Sequence, residues 1–126
     1  MYPWIDEYLL GLPGVEKDLQ PEWNWIRYKI GGKMFAAICL DDANEPYDVT
    51  LKLDPMEGEF LRAQYEDILP GYYMNKRHWN SIRVGGSVPD DLVRDLLGKA
   101  RSLVLGGFSK VKQKEILNGE STSYNA

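Results

Sequence analysis

Between Tyr47 and Asp54 the chain alternates strictly: Tyr47, Val49, Leu51 and Leu53 fall on one side, Asp48, Thr50, Lys52 and Asp54 on the other. That period of two predicts a half-buried antiparallel strand. Upstream, WNWIRYKI and KMFAAICL are two β-compatible runs flanking Gly31-Gly32, a pair that supplies the positive φ angles of a two-residue hairpin turn. After Ser87 the period lengthens. Leu92, Val93, Leu96, Leu97, Ala100, Leu103 and Val104 recur at helical spacing and predict a long helix lying on the core. Ser87 with Asp90 fits a capping box, and Pro89 stands in the first turn. Early Asp90, Asp91 and Asp95 and late Lys99 and Arg101 suit the helix dipole, and Gly106-Gly107 stops the run.

Weaker signals complete the outline. Trp4, Ile5, Tyr8 and Leu9 predict a short helix within 2–10, ended by Leu12-Pro13-Gly14, and Val15 to Gln20 fits a short strand. Asp54-Pro55-Met56-Glu57 reads as a helix start, with Asp54 as cap and Pro55 in the first position, the helix running to about Tyr65. His78 to Val84 predicts another strand, closed by Gly85-Gly86. Tight turns between neighbouring strands imply an antiparallel sheet with helices packed on one side. The expected fold is therefore a two-layer α+β domain in the order α-β(3–4)-α-β(2)-α. Residues 1–108 form that single domain in this reading, and 109–126 a polar, flexible tail.

Composition narrows the class only modestly. The chain has 126 residues, 44% hydrophobic and 27% charged, the profile of an ordinary folded domain. No apolar run approaches a membrane span, and MYPWIDEYLL carries Asp6 and Glu7 where a secretory leader would be basic. One cysteine, Cys39 within FAAICL, cannot form an internal disulfide and predicts a buried small hydrophobe. Together these point to the cytoplasm, with no membrane contact.

Charge changes the picture more. The net charge of -4 hides an asymmetry: residues 1–70 carry 6 Lys/Arg against 14 Asp/Glu, residues 71–126 carry 9 against 5. The basic excess includes MNKRHWNSIRV, where Lys76, Arg77 and Arg83 stand near Trp79. Cations can meet phosphates, and the rings of Tyr72, Tyr73 and Trp79 can stack on bases. On a strand Trp79, Ser81 and Arg83 share one side, and Ile82 and Val84 point to the core. Trp79 and Arg83 are then expected to be exposed or partly covered. The structural alternative packs Tyr72 and Trp79 beneath the long helix and leaves the cations in water. Asn75 and Asn80 are better suited to capping turns than to reading bases.

Other chemistry is thin. Gly31-Gly32-Lys33 lacks the P-loop spacing and leads into a strand, so it reads as a hairpin turn. His78 is the only histidine, any nucleophilic dyad must use it, and no nucleophile-elbow motif is present. One His and one Cys exclude the usual zinc clusters, and Asp41, Asp42 and Glu45 match no calcium loop. No catalytic residue, metal or cofactor is expected.

IGGKMFAAI, LKLDP, PGYYMNKRHWNSIRVGG and VPDDLVRDLL, in this order and spacing, resemble the MmcQ/YjbR family of small bacterial proteins, from about Tyr8 to Leu105. The resemblance implies an α+β fold similar to type III secretion chaperones and to the frataxin-like CyaY fold, in agreement with the element order above. It also implies DNA binding, the family's usual label, through a double-wing arrangement that Gly31-Gly32-Lys33 and Gly85-Gly86-Ser87 could supply. Two expectations follow. The first is a non-enzymatic nucleic-acid-binding protein contacting phosphates through Lys76, Arg77, Trp79 and Arg83. The second is a protein- or peptide-binding module using the aromatic hairpin (Trp23, Trp25, Tyr28) or an exposed sheet edge.

Overall fold

In the computed structural model, which describes residues 2–71 and 75–118, six strands form one antiparallel sheet in the order β1-β2-β3-β4-β6-β5. The strands are β1 Val15–Gln20, β2 Trp25–Ile30, β3 Lys33–Leu40, β4 Pro46–Lys52, β5 Ile68–Pro70 and β6 Trp79–Arg83. Four helices complete the chain: α1 Ile5–Leu10, α2 Pro55–Gln64, α3 Asp90–Leu105 and α4 Lys110–Leu117. The expected two-layer α+β architecture is the one observed, with the helices on one side of the sheet.

α3 crosses β2, β3 and β4, while α1 lies against β1 and α2 against β5. The buried stripe of α3 is Val93, Leu96, Leu97, Ala100 and Val104, five of the seven positions its periodicity marks. It meets Tyr28, Ile30, Phe35, Leu51 and Ile82 in the main core. Removing such side chains from water does most to hold the two layers together. A bulge in β3 opposite Tyr28/Lys29 leaves Phe35 without a partner. The extra residue lets consecutive Phe35 and Ala36 both enter that core.

Turn chemistry follows the sequence in most places. Gly31 and Gly32 have φ of 59° and 83°, the mirror-image hairpin turn expected of the pair. A methyl group at Gly31 would also lie 2.6 Å from the Phe108 ring, so glycine is needed there twice over. The Asp54 carboxylate accepts the Met56 N–H at 3.1 Å and Pro55 opens α2, as expected. The DDANEP turn is built on Asp41, whose carboxylate accepts N–H groups of Ala43 and Glu45.

Two local expectations are corrected. The Ser87 capping box does not form: α3 starts at Asp90, and the Ser87 N–H and hydroxyl donate instead to the Asp67 carboxylate. The chain after Phe108 is not a loose tail throughout. Ser109 caps α4 by accepting the Lys112 N–H, and Ile116 packs on the core beside Phe108. Sequence periodicity gave no warning because α4 is only eight residues long and buries no residue fully.

Candidate nucleic-acid interface

Alternation along the strands puts Trp25, Ala37, Cys39, Thr50, Ser81 and Trp79 on the face without helices. Trp25, Ala37 and Cys39 form a second, small apolar cluster there with Met34 against it. Cross-strand partners fix two rows near opposite ends of this face. At one end Lys52 is opposite Trp79; at the other Trp25, Cys39, Asp48 and Arg83 pair in succession.

The sequence-derived site is therefore divided. Lys76 and Arg77 sit in the turn that leads into β6, both exposed, at the Lys52–Trp79 end. Asn75 shapes that turn: its side-chain oxygen accepts the Arg77 N–H at 2.8 Å, and its carbonyl accepts the Trp79 N–H. Arg83 lies at the far end of β6, about 13 Å along the strand, paired in register with Asp48. Burial raises the Asp48 carboxyl, and the Arg83 charge partly offsets that rise.

Trp79 needs a correction. It is on the expected side of β6, but it is only 7% exposed. Its backbone carbonyl accepts the Gly71 N–H at 2.8 Å, and Gly71 lies so close that an added methyl would come within 2.9 Å of the Trp79 Cβ. A ring so covered is part of the packing and not an open stacking face. The suggested partner rings, Tyr72 and Tyr73, lie outside the described residues. Asn80 is fully buried on the helix side. Its side-chain oxygen accepts from Arg62, its amide donates to the His78 carbonyl, and Gly58 of α2 passes directly above it. It cannot reach a base edge; instead of capping a turn, as expected of it, it anchors Arg62 of α2, and the turn is shaped by Asn75.

Topology joins to this segment two cations, Lys33 of the first expected wing and Lys52, that the sequence did not place beside it. The β2–β3 turn and the chain between β5 and β6 emerge at the same end of the sheet. That end gathers exposed Lys33, half-buried Lys52, and exposed Lys76 and Arg77. The two hairpin tips are three strand spacings apart, roughly 14 Å. Lys52 was legible as the polar side of an alternating strand; its neighbours across the sheet were not. Lys33 also lies 5.4 Å from the centre of the Phe108 ring, which pins the first tip. The proposed second wing, Gly85-Gly86-Ser87, is at the opposite end, against Asp67.

The other candidates resolve plainly. Burial pushes the Cys39 thiol up to about 12, with the Asp48 charge adding to it, so at neutral pH it is a buried thiol and no nucleophile. In the aromatic hairpin, Trp25 and Tyr28 are buried, the Tyr28 hydroxyl donating to Asp6, and only Trp23 stays exposed, edge-on to Trp25. Among the described residues no group of three or more His, Cys, Asp or Glu is arranged to hold a metal ion. No helix among them is long and apolar enough to cross a membrane.

The family model for YjbR matches residues 10–103, three quarters of the chain and both hairpins. The chain belongs to the YjbR family. Two relatives come from Escherichia coli. YbdF of strain O157:H7 is 37% identical over 73% of this chain and 74% of its own length. YjbR of strain K12 is 29% identical over 86% of this chain and 90% of its own. Among solved structures, the Deinococcus radiodurans protein DR2400, a DUF419 domain, superposes with a TM-score of 0.80 at 31% identity, covering 89% of this chain and 84% of that one. A Pseudomonas syringae protein shares the fold at a TM-score of 0.67 and 18% identity, over 82% of this chain and 98% of its own. These likenesses define fold and family and name no activity.

Proposed function

We propose that this YjbR-family protein is a non-enzymatic, cytoplasmic nucleic-acid-binding protein that meets phosphates at the end of the sheet bearing Lys33, Lys52, Lys76 and Arg77. One observation carries the reading: two separate hairpins present their cations at the same sheet end, roughly 14 Å apart, with Lys52 on the strand between them. Such a spacing suits phosphates on either side of a groove, and phosphate contacts supply most sequence-independent affinity. Trp79 serves as packing beneath this end. Arg83, beside Asp48 at the far end, contributes little.

The test is fluorescence anisotropy with labelled single- and double-stranded DNA and RNA at several salt concentrations. The quadruple variant Lys33→Ala/Lys52→Ala/Lys76→Ala/Arg77→Ala should flatten the log–log salt slope by about 0.9 per lost contact on duplex. Arg83→Ala should leave the slope unchanged. Absence of binding by the wild type at low salt would remove the proposal. A second reading, strand addition by an extended peptide, is favoured by the outer edge of β1, where Leu19 is 56% exposed. A nucleic-acid-negative protein that protects β1 amides when peptide is added would select it.

A further inference from the structure

The outer surface of the helical layer carries a shallow groove of about 590 Å³ between α1 and α2, floored by α3. Its floor is low because α3 places Gly98 and Ser102 there, one turn apart. Around it stand Asp54, Glu57 and Asp95. Their charge is opposed by Lys99, which bridges Glu57 at 2.7 Å and Asp95 at 3.5 Å. Arg101 also lines the groove, but it directs two N–H groups to the Pro13 carbonyl. Phe60 and Met56 stand on α2, the helix that borders the groove through Glu57, although neither lines it. They are 61% and 80% exposed, and Leu103 on the α3 side is 39% exposed.

α4 has the complementary character. Lys110, Lys112 and Lys114 outnumber Glu115, and Val111 and Leu117 are 69% and 41% exposed. Lys110, Lys114 and Leu117 follow helical spacing along one stripe, with Val111 beside them. Of nine large exposed hydrophobics among the described residues, five are on α2 and α3, which border the groove, or on α4, a concentration expected of a contact surface rather than of scattered surface residues. The two patches adjoin. Ile116 of α4 lies against Gly14, two residues from Leu12 in the groove.

We infer that the occupant of the groove is α4 of a second copy of this chain. The groove carries Asp54, Glu57 and Asp95 against Lys99 and Arg101, a small negative excess, and α4 carries three lysines against Glu115, so a twofold axis that seats each helix in the other's groove brings opposite net charges together. Such a closed, isologous pairing makes each contact twice.

The experiment is sedimentation equilibrium on the full chain from low micromolar to millimolar, at low and high salt. The wild type should dimerise, more weakly as salt rises. Lys110→Glu/Lys114→Glu should raise the dimer dissociation constant at least about tenfold. So should Glu57→Lys/Asp95→Lys/Lys99→Glu, which reverses the groove while keeping its internal ion pair. Mixing the two charge variants should restore association, since each reversed element then meets its complement. Val111→Ser/Leu117→Ser, on exposed positions, should weaken the wild-type dimer without altering its circular dichroism. A wild type that is monomeric at every concentration overturns the inference. So does a dimer indifferent to both reversals, or a mixture that fails to recover.

Discussion

The two faces of the sheet are buried by different means. On the helix side large apolar groups interlock: Tyr28, Ile30, Phe35 and Leu51 beneath Leu96 and Leu97. The opposite face has no helix, yet Ala37, Cys39, Thr50 and Ser81 are 7% exposed or less. There the strand residues are small, and bulky Trp25 and Trp79 stand toward the two ends. Small residues need little cover. The contrast shows that this sheet uses one face for stability and leaves the other to present charge from its margins.

The largest effect that would break the contrast is a cavity on the helix side. Leu97→Ala, at a fully buried position, should cost about 2–5 kcal/mol, read as a lower urea midpoint with m unchanged. If it costs under about 1 kcal/mol, the helix layer is not the main source of stability. Next comes Asn80→Ala, which takes the side-chain acceptor from Arg62, while the His78 carbonyl keeps the Leu53 N–H. It should cost about 1–3 kcal/mol, and the double variant with Arg62→Ala should show coupling between the two sites. On the other face, Thr50→Val removes a hydroxyl that donates to the Asn80 carbonyl at 3.2 Å. That change should cost about 0.5–1.5 kcal/mol, and a larger loss would mean the helix-free face is packed as tightly as the core.

The smallest effect is confined to acid. Arg27 and Lys29, both hydrogen-bonded to it, hold Asp18 at about 2, below its ordinary 3.8. The folded protein thus binds this proton less readily than the unfolded chain does. The stabilisation is complete above 3.8 and disappears as pH falls through about 2. Asp18→Asn should be less stable than wild type at neutral pH, with a flatter fall in acid, and the two curves should meet near pH 2. Parallel curves over that range would show that the ion pairs contribute nothing.

Much of this was legible along the chain because its causes are local. Strict alternation located β4, a Gly-Gly pair located the β2–β3 turn, and helical spacing located α3. The family motif also identified the segment carrying Lys76, Arg77 and Arg83. The failures have one physical source. Whether Ser87 caps a helix depends on Asp67, twenty residues away. Whether residues 110–117 are helical depends on Phe108 and Ile116 finding the core. The exposure of Trp79 depends on Gly71, which arrives from β5. In each case a distant group competes with, or replaces, the local preference.

The sequence by itself determined every strand but β5 (Ile68–Pro70), the two longer helices, the hairpin turn and the layer each apolar stripe faces, because periodicity and turn residues act within a few positions. Only the tertiary structure decided which cations are neighbours. Strand order and antiparallel register carried Lys33 and Lys52 to the end that holds Lys76 and Arg77, and sent Arg83 to the end that holds Asp48. Charges at the two ends of one strand are separated by its length, whereas charges far apart in sequence meet across a few strand spacings.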